Sequence, residues 1–380
     1  MRRIVFEPGP KRLDASAVHS SNLRSVLAAI AANPGSTAAD TGRITGLSPA
    51  TVSRLIDDLL GRNLLLQGDR VRGRRGQPGL ALWLNPEGAY SAGCQIGFGQ
   101  CYLFIRSLGG QILHEQEFAI EQCSYSHVAA AVGRAFDLAM KRQEPIVRER
   151  FVGLGVAAPA DFDRLCQTVL GTHSEGWDER TFCAELQRTI DVPVTMYSTG
   201  AAGAWAELAA TPHPRPADYL YLFVDRFVQS GMLLDGKLWV APQARHGGLG
   251  RMLVAQEAQS ARVYDLVGAQ SWLQEVAMAD GANKDEVVAR WASKAAAALA
   301  QSVQALTDAM DLPLLVIDGS LPPDLVGTLI AEMTSQLPQY AWANPPHVKR
   351  GVAGAHAPAK GAALRPLYNA FFSDEISVDG

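Results

Sequence analysis

No cysteine follows Cys183 in this chain of 380 residues, and the five present, Cys94, Cys101, Cys123, Cys166 and Cys183, contain no Cys-x-x-Cys pair. An odd count without that spacing argues against a disulfide framework and a structural zinc site, so all five are expected to be small buried hydrophobes. No apolar run approaches the roughly 20 residues that a membrane span requires. The first eleven residues carry charges and two prolines where a secretory signal would need an apolar core, so a cytoplasmic protein without a membrane partner is expected. With 48% apolar and 19% charged residues, the chain is not disordered, collagenous or a coiled coil. Its length is too great for one small core and implies two or three domains.

The net charge of minus four conceals a division along the chain. Through Asn85 there are 12 Lys and Arg against 6 Asp and Glu, net plus six; the remainder has 22 against 32, net minus ten. A basic head on an acidic body implies that the head alone meets a polyanion.

In the head, Leu23, Val26, Leu27 and Ile30 form one helical face before Asn33-Pro34-Gly35 breaks it. Ser36 or Thr37 can cap a second helix ending at Gly46, and Ser48 caps a third with Pro49 in its first turn. The third helix turns Val52, Leu55, Ile56 and Leu59 inward and leaves Thr51, Ser53 and Arg54 on other faces. Two helices joined by a tight turn make a helix-turn-helix, whose second member can enter a DNA major groove. Two strand-like runs follow, Leu64-Leu65-Leu66 and Leu80-Ala81-Leu82-Trp83-Leu84, and the hairpin between them holds four arginines and four glycines. Such a basic wing suits a minor groove or phosphates through Arg72, Arg74 and Arg75. The head is therefore expected to bind double-stranded operator DNA through Ser48, Pro49, Thr51, Ser53, Arg54 and these wing arginines.

The body alternates strands and helices. Strands are expected at 90–108 (two, with a turn near Gly97), 151–158, 219–224, 231–234 and 314–318, and helices at 127–142, 181–189, 201–210, 284–310 and 323–336. That order indicates an α/β body, as two lobes with ligand between them. The alanine-rich stretch near Lys294 reads as a packing helix.

Gly46-Leu47-Ser48-Pro49-Ala50-Thr51-Val52-Ser53-Arg54-Leu55, with the wing end Gly73-Arg74-Arg75-Gly76-Gln77-Pro78, resembles the head of the ROK family, in the branch that includes xylose and N-acetylglucosamine repressors. Further landmarks are Gly153-Leu154-Gly155-Val156-Ala157-Ala158-Pro159, Asp235-Gly236-Lys237-Leu238, Val316-Ile317-Asp318-Gly319-Ser320 and the run from Gly354 through Ala363. The resemblance implies a winged helix-turn-helix over 1–85 and a two-lobed actin-like (hexokinase-like) body. The lobes would span 86–200 and 201–380, with the C-terminal segment returning to the first.

Kinases of that family carry an Asp-x-Gly-Gly-Thr phosphate turn, which corresponds here to Gln95-Ile96-Gly97-Phe98-Gly99. Their second phosphate loop corresponds to Asp225-Arg226-Phe227-Val228-Gln229, and their catalytic Asn-Asp to Ser198-Thr199. Thr199 cannot act as a general base near neutral pH. The family's zinc histidine falls on Arg251, and no cysteine follows it. No catalysis, cofactor or metal is therefore expected. An effector site would include Ser198, Thr199, Arg245, His246 and Arg251. Its basic members either receive an anionic carbohydrate derivative or pair with Asp and Glu of the protein. The resemblance implies a repressor of carbohydrate-related genes acting as a homodimer or dimer of dimers. Two alternatives are a sugar kinase that retains the head and a DNA-binding protein with no effector.

Overall fold

The computed structural model describes residues 15–71, 79–171, 179–239, 248–256, 259–279, 283–341 and 344–372. Contacts divide the chain into a head ending at Gly88 and a body beginning at Ala89.

Three helices open the head, α1 (Ala15–Ala32), α2 (Ala38–Thr45) and α3 (Pro49–Gly61), and the antiparallel strands β1 (Leu65–Val71) and β2 (Gly79–Leu84) close it. Thr37 starts α2 through a capping box with Asp40. Ser48 starts α3 by accepting from the Thr51 amide at 3.3 Å, with Pro49 at the first helical position where no N–H is needed. The inward face of α3 is Val52, Leu55, Ile56 and Leu59, which meets Val26, Leu27 and Ile30 of α1 in an apolar core of the head. A bridge from Ser36 to Leu82 ties the turn before α2 onto the β hairpin.

The first lobe runs β3 (Tyr90–Ile96), β4 (Gln100–Ser107), β5 (Ile112–Ala119), α4 (Tyr125–Lys141), α5 (Pro145–Glu149), β6 (Phe151–Ala158), α6 (Phe162–Leu170), α7 (Glu179–Gln187) and β7 (Val194–Ser198). Next come α8 (Thr199–Ala210), β8 (Tyr219–Val224), β9 (Val228–Leu234) and β10 (Lys237–Leu238). The chain continues through a hairpin, β11 (Leu253–Gln256) with β12 (Gln259–Arg262), into α9 (Val263–Leu266), α10 (Ala269–Met278) and α11 (Lys284–Met310). It ends with β13 (Leu314–Gly319), α12 (Pro323–Gln336), β14 (His347–Arg350) and α13 (Ala357–Phe371).

The two lobes repeat one topology. One sheet has the order β5-β4-β3-β6-β7 and the other β10-β9-β8-β13-β14; in each, an antiparallel three-strand meander is extended by two parallel strands. Each parallel crossover carries helices that bury the sheet faces, which is why β6 and β8 read as unbroken apolar runs. The helices after the last parallel strands are exchanged between lobes. α8 follows β7 yet packs on β8 and β9, its Ala204 carbonyl accepting from the Tyr219 hydroxyl at 2.7 Å. α13 follows β14 yet lies on β3 and β6, its Ala363 carbonyl accepting from the Ser91 hydroxyl at 2.7 Å. Ala157, Ala202 and Ala362 meet where α8 and α13 touch. A Cβ on Gly155 of β6 would stand 1.9 Å from the Ala362 carbonyl oxygen, so only glycine admits α13 at this distance.

The long helix α11 buries Trp291, Ala292, Ala295, Ala296 and Leu299 in the second lobe, consistent with its reading as a packing helix. The cysteine expectation is corrected in two respects. Cys123 and Cys166, 43 residues apart, form a disulfide between the segment before α4 and α6, and Cys183 is half-buried. Only Cys94 and Cys101 are free and fully buried. The pairing depends on α6 folding back onto the first-lobe sheet, which no short-range spacing encodes. Among the described residues no helix is long and apolar enough to cross a membrane, and no cluster of His, Cys, Asp and Glu has a metal-site arrangement.

Candidate functional site

On the head, α3 presents Ala50, Ser53, Arg54 and Asp57 on one exposed stripe opposite its buried face. Arg54 forms no ion pair among the described residues, so its guanidinium is available to a base edge or phosphate. Ser48 and Thr51 share a hydroxyl contact of 2.8 Å at the helix start. Pro49 is exposed beside them. Ser48, Pro49, Thr51, Ser53 and Arg54 thus converge on the N-terminal half of one helix, the part that reads base edges in helix-turn-helix proteins. Arg72, Arg74 and Arg75 lie outside the described residues.

In the body, the C-terminal ends of β3, β6 and β7 lie side by side, as the parallel register of Gln95 with Ala157 and of Ala158 with Ser198 requires. Ser198 is spent on structure: its hydroxyl caps α8 by accepting from the Ala201 amide at 3.2 Å. Thr199 is buried, and its hydroxyl has no partner among the described residues. Gln229 at the start of β9 accepts from the Ala160 amide at 3.2 Å, which joins the two lobes directly. Arg245 and His246 lie outside the described residues.

Arg251 stands on a short 3-10 turn (Leu249–Arg251) and forms a two-pronged ion pair with Asp161, which precedes α6. Of the two roles open to Arg251 in the sequence, the described geometry has the guanidinium meeting a carboxylate of the protein. The Tyr264 hydroxyl donates to the same carboxylate at 3.3 Å. Burial would lower the Arg251 pKa, but hydrogen bonds and the charge of Asp161 outweigh it and raise it; burial and then the Asp161 charge push the Tyr264 phenol up. Asp161, Arg164, Arg251, Arg262 and Tyr264 line a cavity of about 120 Å³. Four of these five carried no signal in the sequence, since residues 161–164 and 251–264 meet only through lobe packing.

Phe98 and Phe227 occupy the two hairpin turns that face each other across the lobes. Their ring centroids are 5.2 Å apart, edge to face. Phe98 also stacks on Phe162 at 5.5 Å, and Phe227 meets Tyr264 at 5.9 Å. Phe98 packs against the cores of both lobes.

Residues 24–76 match the MarR family model, and residues 91–262 match the ROK family model. The chain carries a ROK domain behind a MarR-type head. Protein y4fQ of Sinorhizobium fredii is 24% identical over 95% of this chain and 94% of its own length. A xylose repressor of Bacillus spizizenii is 22% identical over 63% of this chain, which spans 62% of that repressor's length. A crystal structure of a ROK family transcriptional regulator, a homologue of the Escherichia coli MLC protein, superposes with a TM-score of 0.73 at 14% identity, covering 93% of this chain and 98% of that one. The fold is accordingly a winged helix-turn-helix followed by the actin-like ROK body. Within that body, the two turns likened in the sequence to kinase phosphate loops hold the contacting rings of Phe98 and Phe227. Backbone N–H groups cannot cradle a phosphate where phenyl rings fill the space.

Proposed function

We propose that this chain is a sequence-specific DNA-binding transcriptional repressor of carbohydrate-related genes, and that its kinase-like body senses an effector without catalysing a reaction. The observation that carries the reading is the combination, in one chain, of an exposed Ser53 and Arg54 edge on a capped recognition helix with a body whose two phosphate turns are closed by Phe98 and Phe227. The xylose repressor and the ROK regulator among its relatives support it.

Operator DNA is bound by a homodimer or a dimer of dimers, with recognition helices about one helical turn apart, so the operator is pseudo-palindromic. Arg72, Arg74 and Arg75 contact the minor groove or backbone. The lobes span 86–200 and 201–380, and the effector lies near Ser198, Thr199, Arg245, His246 and Arg251, with Ser198 still capping α8 and Arg251 still paired with Asp161. The ligand favours one lobe arrangement, and that arrangement spaces the heads poorly for DNA.

Footprinting on the promoter next to the chain's own gene tests the reading. Arg54→Ala should weaken specific binding by about 1–3 kcal/mol and leave non-specific binding nearly unchanged. Neutralising Arg74 and Arg75 should lower affinity for all sequences and flatten its salt dependence. Unchanged operator affinity in both variants would refute the assigned head.

A further inference from the structure

We propose that the cavity between α6 and the β12–α9 corner is a binding site for a phosphomonoester group. The inference rests on the effector-sensing reading of the body and not on its DNA binding. Three guanidinium groups and one carboxylate line the cavity. Asp161 neutralises Arg251, and the Tyr264 hydroxyl completes the bonding of that carboxylate. Arg164 and Arg262 remain. Neither forms an ion pair among the described residues; Arg262 donates one Nη1–H to the Arg251 carbonyl at 2.7 Å and keeps the rest of its fork. Among the described residues the lining therefore carries a net charge of plus two.

That charge is arranged against its own surroundings. Arg164 lies in the first turn of α6, where the helix dipole is positive and a cation is unfavourable unless an anion is near. Asp161 occupies the N-cap of α6, yet its side chain does not cap the helix and turns to Arg251 instead. Its backbone is left-handed, at φ 63°. The helix start is thus left with an excess of positive charge facing a cavity.

Occupancy by a phosphomonoester balances this excess. Such a group carries about −1.5 to −2 charges near neutral pH, and two planar guanidinium forks match its oxygens. A single carboxylate would leave one cation uncompensated. A cavity of about 120 Å³ has room for a phosphate head. Free inorganic phosphate and the phosphate of a sugar share this chemistry.

Calorimetry on the full chain tests the site with inorganic phosphate, glucose 6-phosphate and glucose, in the native protein and in Arg164→Gln and Arg262→Gln. Both phosphate probes should bind, glucose at least tenfold more weakly, and each variant should lose at least tenfold for the phosphate probes. Arg164 is exposed, so its variant tests the charge without risk to the core. Tighter binding of glucose 6-phosphate than of phosphate assigns the site to a sugar phosphate, and equal binding assigns it to the free ion; both support the site. Equal affinity in native protein and variants, tighter binding of neutral glucose, or no phosphate binding overturns it. A clear operator footprint in a protein that fails this titration would leave the repressor reading intact and remove only this inference.

Discussion

Phe98 lies in the turn between β3 and β4, and Phe227 in the turn between β8 and β9, so the corresponding hairpins of the two lobes each end in a phenyl ring. The rings meet at 5.2 Å, and Phe227 is almost fully buried. The same two side chains join the lobe cores. Their removal should therefore cost stability and not restore catalysis. Phe227→Ala is expected to lower unfolding free energy by about 3–5 kcal/mol, read by urea denaturation, with no sugar-dependent ATP turnover. Turnover in the variant, or an unchanged urea midpoint, would show that the ring neither fills the cleft nor binds the lobes. Sequence comparison alone located both residues in phosphate turns. Their contact could not be foreseen, because it joins residues 129 apart that only the facing of the lobes brings together.

At the level of elements, the exchange of α8 and α13 is what makes two similar lobes into one body. Each helix leaves its own sheet and packs on the other, and small residues at the crossing let backbones come close. Gly155→Ala tests this. The added methyl would meet the Ala362 carbonyl at 1.9 Å, and neither β6 nor α13 can shift without disturbing its partner. Overpacking of this kind should destabilise the protein by about 3 kcal/mol in urea unfolding. Gly327→Ala, exposed in α12 with nothing within 4 Å, should be neutral or stabilise by up to about 1 kcal/mol. Equal effects of the two changes would refute the close crossing. The helices at 284–310 and 323–336 were legible to the residue because their caps and apolar faces are local. The hairpin β11–β12 and helices α6 and α10 escaped notice, since their short or mixed patterns depend on packing.

On the scale of the whole molecule, the Cys123–Cys166 link acts through the unfolded chain. Closing a loop of about 43 residues lowers the entropy of the denatured ensemble and stabilises the native state by about 4 kcal/mol on the chain-entropy model. Protein refolded under reducing conditions should have an unfolding free energy lower by about that amount, read by urea denaturation, and Cys123→Ala/Cys166→Ala should respond to reductant not at all. A reductant-insensitive native protein would exclude the link. Charge is distributed at this scale too, plus six through Asn85 and minus ten beyond it.

The sequence by itself determined the head and its likeness to a ROK chain, because caps, helix periodicity and a basic wing are written in neighbouring residues. It also placed Thr199 and Arg251 at positions that the resemblance gives to kinase and zinc residues, which needs only the identity of single side chains. Only the tertiary structure decided that Arg251 belongs to Asp161, that Cys123 belongs to Cys166, and that Arg164 and Arg262 share a cavity. These partners lie between 43 and about 100 residues apart, and a pairing at that distance is set by how lobes and helices pack, not by any pattern along the chain.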